Sequence, residues 1–277
     1  MRRRFGPSDL EVPVIGQGTW QMGRAPEVEV AALRRGLDLG LTHLDTAEMY
    51  GAAEQVTGRA LAGRRDEVFV VSKVLPSNAS YRGTIEACER SLAALGVDAL
   101  DLYLLHWPGP HPLGETMRGL EELVQRGLTR LIGVSNFDLG ELRAAQRALR
   151  REPLACNQVH YDVEHRGIER RLLPYMQEQG IALVGYSPFG QGALPSPASA
   201  GGQVLAEVAA AHGATPAQVI LAFLTREEGT FTIPKASRLE HVEQNAGALG
   251  IRLSAAEAAR IDAAFPPPGR DVPLSMR

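Results

Sequence analysis

The sequence predicts an α/β fold, an eight-stranded parallel TIM barrel with an N-terminal strand or hairpin and extra C-terminal helices. Three observations carry this. Short strand-like runs alternate with helical periodicity along the whole chain, no linker or composition break divides it, and chemically capable residues recur at the C-terminal ends of successive strands. With 277 residues, 44% of them hydrophobic, the chain can bury one large core, so residues 1–277 are expected to form a single domain.

The first strand is expected at 12–15, ending in Gly16-Gln17-Gly18-Thr19-Trp20. Gly16 and Gly18 resemble the opening of a dinucleotide fingerprint, but Gln21 stands where the third glycine belongs and Pro26 delays the helix, so that reading is rejected. A helix at 27–39 precedes a strand at 41–45, whose apolar-polar alternation leaves Asp45 at its C-terminal end. Tyr50 follows in a short loop, then Gly51 and a helix at 52–62. Residues 68–73 form a continuous apolar run of the buried parallel type, ending in Lys73. A helix at 84–95, a strand at 100–106 ending in His106 ahead of Trp107-Pro108, a helix at 115–125 and a strand at 131–135 continue the alternation. Helix 139–149, strand 155–159, helix 170–179 and strand 181–186 follow. A Gly/Pro-rich loop, 187–202, leads to helices near 204–211 and 216–225, a last strand at 230–234, helices at 239–249 and 255–264, and a Pro-rich surface tail at 266–277.

A formal charge of −3 excludes a general attraction to nucleic acid or anionic lipid. No apolar signal core follows the basic residues 1–4, and no run approaches the roughly 18 residues of a membrane span. A cytoplasmic protein with no membrane or nucleic-acid partner is expected. Cys88 and Cys156 lack metal-type spacing and are expected as buried free thiols in a reducing compartment. Of 29 basic residues only Lys73 and Lys235 are lysine, which singles out two places where a compact ammonium is preferred to a guanidinium fork.

In a parallel barrel, chemistry gathers at the C-terminal rim. Asp45, Lys73 and His106 end three neighbouring strands, and Tyr50 lies in the loop after the first of them. Taken singly, a strand-end aspartate is more often a helix cap and a histidine more often a satisfied core residue. Together they suit carbonyl reduction: hydride arriving at carbon leaves negative charge on oxygen, which a positioned acid must protonate. A free phenol, with a pKa of about 10, is a weak acid at neutral pH. An ammonium about 4 Å away, at an effective dielectric near 20, contributes roughly 4 kcal/mol and is expected to lower it by about three units. Asp45 would aim Lys73 while cancelling part of that field, and His106 would hydrogen-bond the carbonyl oxygen. For a hydride donor, Ser135-Asn136 and Gln158 offer carboxamide partners, Tyr186 a stacking ring, and 187–192, with Ser187, Phe189, Gly190 and Gln191, a loop able to approach a pyrophosphate. Lys235 follows Ile233-Pro234 and opens a helix whose N-terminus favours anions.

These residues resemble the aldo-keto reductase family. The matching segments are Gly18-Thr19-Trp20, Asp45 to Gly51, Ser72-Lys73, Leu105-His106-Trp107-Pro108, Gly133-Val134-Ser135-Asn136-Phe137, Asn157-Gln158, Tyr186-Ser187-Pro188 and Ile233-Pro234-Lys235. The resemblance implies NADPH, with NADH open as an alternative. It implies Tyr50 as proton donor with Asp45, Lys73 and His106 completing a tetrad, and Tyr186 stacked on the nicotinamide held by Ser135, Asn136 and Gln158. The similarity is greatest to bacterial members that reduce small aldehydes such as methylglyoxal, and a monomer is the family expectation. Ala236 and His241 stand where many members carry a serine and an arginine on the 2′-phosphate; Ser237 and Arg238 are close enough to compensate. Gln244 replaces a common glutamate, and Asn245, expected at the adenine, is kept. A short 107–113 loop and tail predict an open substrate site lined by Trp20 and Trp107.

Two rivals remain. A metal-dependent barrel hydrolase would use His43 and Asp45 with His106 and His160, but no His-x-His pair occurs and Tyr50 is left idle; no metal ligand is expected. A non-catalytic, nucleotide-sensing or accessory subunit would keep the fold without the chemistry.

Overall fold

The computed structural model describes residues 1–190, 192 and 194–276. The chain begins with β1 (Arg2–Arg4) and β2 (Glu11–Pro13), which pair antiparallel in a sheet of their own. Eight parallel strands then follow in chain order: β3 (Gln17–Gly18), β4 (His43–Asp45), β5 (Phe69–Val74), β6 (Leu100–Leu105), β7 (Thr129–Ser135), β8 (Leu154–His160), β9 (Ala182–Tyr186) and β10 (Thr230–Thr232). Parallel bridges from Ile15 to Thr232 and from Gly18 to Lys235 join the last strand to the first and close the barrel.

The first strand departs from expectation. Residues 11–13 belong to the hairpin, and the barrel strand is the two-residue β3 that follows. The hairpin seals the N-terminal end of the barrel. Phe5, in its turn, is fully buried, with ring centroids 4.8 Å from Phe69 and 4.9 Å from Phe231. Gly6 has φ +55°, and a Cβ there would fall 2.4 Å from the Ala155 carbonyl oxygen, so the turn needs glycine to approach β8 so closely.

Helices α1 (Pro26–Asp38), α2 (Ala53–Leu61), α3 (Tyr81–Leu95), α4 (Leu113–Gln125), α5 (Leu139–Ala148) and α6 (Leu172–Glu178) each separate two successive barrel strands. Between β9 and β10 lie two, α7 (Ala200–Ala211) and α8 (Pro216–Leu224); α9 (Leu239–Gly247) and α10 (Ala255–Ala264) follow the last strand. Polar caps fix several starts: the Ser80 hydroxyl accepts from the Gly83 amide, and Asp138, Thr215 and Ser254 form capping boxes with Glu141, Gln218 and Glu257. Among the described residues no single helix is long and apolar enough to cross a membrane.

Two buried clusters result. One fills the layer between barrel and helices, with Leu33, Leu92, Leu120, Leu142 and Phe223 among its members. The other fills the barrel interior and its hairpin plug, with Phe5, Phe69, Val71, Leu102, Leu104, Val184 and Phe231. Cys88 and Cys156 are buried free thiols, as expected; burial pushes the first up to about 12 and the second well above its ordinary value, so both are inert. The described tail, 266–276, is a loop without helix or strand, held to the barrel by side chains. Asp271 pairs with Arg170 and Arg171, and the Ser275 hydroxyl lies 2.8 Å from His160 Nδ1.

Candidate active site

Parallel register decides which side chains meet. Asp45 lies opposite Val71 and Lys73 opposite Leu104, so the acid, the ammonium and, two residues past Leu104, His106 climb the rim on adjacent strands. Lys73 is fully buried. Its Nζ donates to Asp45 Oδ1 at 2.5 Å and to the Thr46 carbonyl at 2.7 Å. The other Asp45 oxygen accepts from Gln158 Nε2 at 2.7 Å, so the carboxylate is fixed from both sides. Lys73 Nζ is 5.2 Å from the Tyr50 ring centroid, and the Tyr50 hydroxyl is 3.4 Å from His106 Nε2. The four expected residues are therefore brought to one point.

Electrostatics orders this group. Burial is the largest influence on Lys73 and works against its charge, yet Asp45 and Tyr50 together raise its pKa above the ordinary value, so it stays an ammonium. His106 is pushed down to about 2, first by burial and then by Lys73, so its ring is neutral and carries one N–H. Tyr50 runs opposite to the expected lowering: burial raises its pKa, Lys73 opposes the rise and Asp45 adds to it. The cost of holding a phenolate among protein atoms outweighs the attraction of a single ammonium. Part of the Tyr50 surface remains open at the rim, which tempers that cost. The outcome is a phenol that keeps its proton at neutral pH.

Trp20, 50% exposed, meets the Tyr50 ring edge-on at 4.9 Å, and Trp107 lies 4.8 Å from the His106 ring, so both tryptophans stand beside the tetrad. Thr19 is buried, its amide and hydroxyl each 3.0 Å from the Asp45 carbonyl oxygen.

Across the rim, Asn136 Nδ2 donates to the His106 carbonyl at 3.1 Å and to Ser135 Oγ at 3.2 Å, while the Tyr186 hydroxyl donates to Asn136 Oδ1 at 2.8 Å. Ser135 Oγ donates to the Gln158 carbonyl at 2.9 Å. Ser135, Asn136, Gln158 and Tyr186 thus form one hydrogen-bonded group that reaches Asp45 through Gln158.

The remaining expected residues cluster at the other end of the rim. Lys235 is exposed and donates to Ser237 Oγ at 3.2 Å; Arg238, at the start of α9, pairs with Glu240. No side chain caps the α9 N-terminus, leaving its amides toward this group. Ile233, Ala236 and Asn245 are buried, His241 is exposed, and Gln244 is half-buried. Gly18 joins the two ends, paired with Asp45 on one side and Lys235 on the other; a Cβ there would fall 2.7 Å from the Ile233 carbonyl oxygen. Ser187, Phe189 and Gly190 lie in the loop after β9, and Gln191 lies outside the described residues.

Sequence reasoning missed three features. The Thr46 carbonyl, the second anchor of Lys73, is a backbone group and leaves no side-chain signal. Gln21, Asn136 and Ser187 all adopt left-handed φ, of 62°, 60° and 52°, in the loops after β3, β7 and β9; only the asparagine hints at it. Thirdly, His43 and His160, which a metal-dependent hydrolase would use beside Asp45 and His106, lie apart from the tetrad and from each other. His43 is fully buried lower in the barrel, with its ring 5.3 Å from Phe69, and burial pushes it down to about 4. His160 instead faces Asp162 and His165, beside a cavity of about 760 Å³ that the tetrad does not line.

A parallel barrel with a buried acid–ammonium pair beneath a phenol and a neutral imidazole is a reductase-type site. The chain belongs to the aldo/keto reductase family, whose pattern it matches over residues 14–265. It is 45% identical over 273 residues to methylglyoxal reductase YeaE of Escherichia coli (strain K12), an alignment covering 97% of this chain and 96% of that protein. An aldo/keto reductase from Klebsiella pneumoniae, solved in complex with NADP and acetate, superposes with a TM-score of 0.91 at 45% identity, covering 100% of this chain and 99% of that one. A second structure from that organism, in complex with NADPH, gives 0.90 at 44% identity with the same coverage.

Proposed function

We propose that this chain reduces small 2-oxoaldehydes, methylglyoxal among them, to alcohols with NADPH as hydride donor and Tyr50 as proton donor. The observation that carries this is the position of the Tyr50 hydroxyl, 3.4 Å from a neutral His106 and next to an ammonium locked by Asp45 and Thr46. The relatives named for methylglyoxal reduction and solved with NADP or NADPH support the substrate class and the cofactor.

The residues present suit the cofactor. Lys235, Ser237 and Arg238 at an uncapped helix start match a phosphate, and the Ser135, Asn136, Gln158 and Tyr186 group offers amide partners and a flat ring near the tetrad. When bound, the nicotinamide supplies the hydride. The protein's residues do the rest. A carbonyl oxygen seated between Tyr50 and His106 receives a hydrogen bond from the His106 N–H, which stabilises the charge that develops on it. Tyr50 then gives up its proton to the nascent alkoxide, a far stronger base than a phenolate, so the raised phenol pKa does not stop the transfer. Lys73 stabilises the phenolate left behind, and Asp45 keeps that ammonium aimed. His106, uncharged, orients without competing for the proton.

The test is to follow the absorbance of NADPH mixed with the protein and a panel from methylglyoxal to a bulky aromatic aldehyde. Turnover of methylglyoxal, with tolerance of the bulkier aldehyde at the open Trp20 and Trp107 mouth, is the expected result. Tight NADPH binding without turnover of any member would sink the assignment in favour of a sensing role.

A further inference from the structure

From the last residue of β8 onward, the spacing His160-x-Asp162-x-x-His165 brings two imidazoles and a carboxylate together outside the tetrad. Their ligand atoms all lie within 4.8 Å of one another. Asp162 Oδ1 accepts from the backbone amides of Glu164 and His165, both at 2.8 Å, which fixes the carboxylate in an Asx turn. Oδ2 is then 3.0 Å from His160 Nε2, and His165 Nδ1 faces both oxygens, 3.1 Å from Oδ2 and 3.0 Å from Oδ1. His160 is 1% exposed and borders a cavity of about 760 Å³; its Nε2, buried and 3.0 Å from Asp162 Oδ2, makes no hydrogen bond. Its other nitrogen, Nδ1, is held by Ser275 Oγ at 2.8 Å.

We propose that His160, Asp162 and His165 form a binding site for a divalent transition-metal ion of the zinc class, outside the tetrad and behind the Tyr186 ring, on which His160 stacks at 5.6 Å. Two imidazole nitrogens and one carboxylate oxygen are a common zinc donor set, with the cavity supplying a water as the fourth ligand. Donor atoms around tetrahedral zinc stand about 3.4 Å apart, given bonds of about 2.0–2.2 Å. Oδ2 is already near that spacing from each nitrogen, and a small swing of His165, whose side chain is 36% exposed, opens room for the ion. The bond from His160 to Ser275 fixes that ring from behind, as the outer partner of a metal-bound histidine does. An ion here would tie together β8, the turn after it and the C-terminal tail.

The experiment titrates zinc into full-length, chelator-treated protein free of any histidine tag, by calorimetry, and cobalt(II), by its visible absorption. We expect one ion per chain. His165→Ala should weaken binding more than about tenfold, and Ser275→Ala, removing only the outer partner, by about tenfold. His212→Ala, which removes the separate His212–Glu257 pair, should leave the titration unchanged. Retained NADPH binding checks that each variant is folded. No binding by the parent protein at micromolar zinc, a His165→Ala titration like the parent's, or loss of the site in His212→Ala would overturn the proposal.

Discussion

The two lysines of the chain stand at opposite ends of one rim and are treated in opposite ways. Lys73 is sealed from solvent, with Asp45 at 2.5 Å, the Thr46 carbonyl at 2.7 Å and a second anchor on Asp45 from Gln158. Lys235 is exposed, and its Nζ donates to Ser237 Oγ at 3.2 Å. On the proposed function, the difference follows from what each end would do. Charge stabilisation of a transition state works best where donors are fixed and water is excluded before the reaction begins. A phosphate that must enter and leave is better met by groups still free to exchange water for it. On the proposed function, preorganisation is thus confined to the end where bonds would change.

The sharpest way to break this contrast is to replace each lysine in turn. Lys73→Met leaves Asp45 buried without its counter-charge and should cost about 3–5 kcal/mol of stability, read from the urea midpoint. It should also lower kcat by about a hundredfold or more, because the phenolate loses its ammonium. A Lys73→Met protein as stable as the parent would show that the pair is not the buried anchor described here.

A pH series probes the buried end alone. His43 and His106 hold folded pKa values of about 4 and about 2, against 6.5 when unfolded. Both groups are depressed, so the unfolded chain binds more protons below pH 6.5 and stability falls as pH falls. The loss should begin near pH 6.5 at up to about 1.4 kcal/mol per pH unit for each ring; His43 levels off near 4 and His106 continues toward 2. Urea midpoints unchanged between pH 7 and 5 would contradict the assignment of two neutral buried imidazoles.

At the open end, Lys235→Ala should raise KM for NADPH on the order of tenfold while leaving kcat and the urea midpoint near the parent's. An equal rise for NADH would mean that Lys235 does not grip the extra phosphate. Smallest of all, Trp20→Ala removes a half-exposed aromatic contact of about 0.5–1.5 kcal/mol and should raise KM for an aromatic aldehyde by roughly threefold.

Much of this was legible in the residues. Asp45, Lys73 and His106 could be placed because each ends an apolar run of strand period, and parallel strands put such ends on one rim. The first barrel strand was not, because β3 has two residues, too few for any periodicity, and the more strand-like 12–15 segment is shared between hairpin and closure. The direction of the Tyr50 shift was missed because burial cannot be summed from one neighbour in a sequence. The His160, Asp162 and His165 spacing was visible, but it does not follow a His-x-His rule, and only the Asx turn after β8 folds it into a cluster.

The most direct measurement is single-turnover oxidation of NADPH by methylglyoxal in a Tyr50→Phe variant, paired with NADPH titration by fluorescence. Loss of only the phenolic oxygen should lower the rate by about a hundredfold to ten-thousandfold with NADPH affinity unchanged. Reduction at the parent's rate would show that the proton comes from elsewhere.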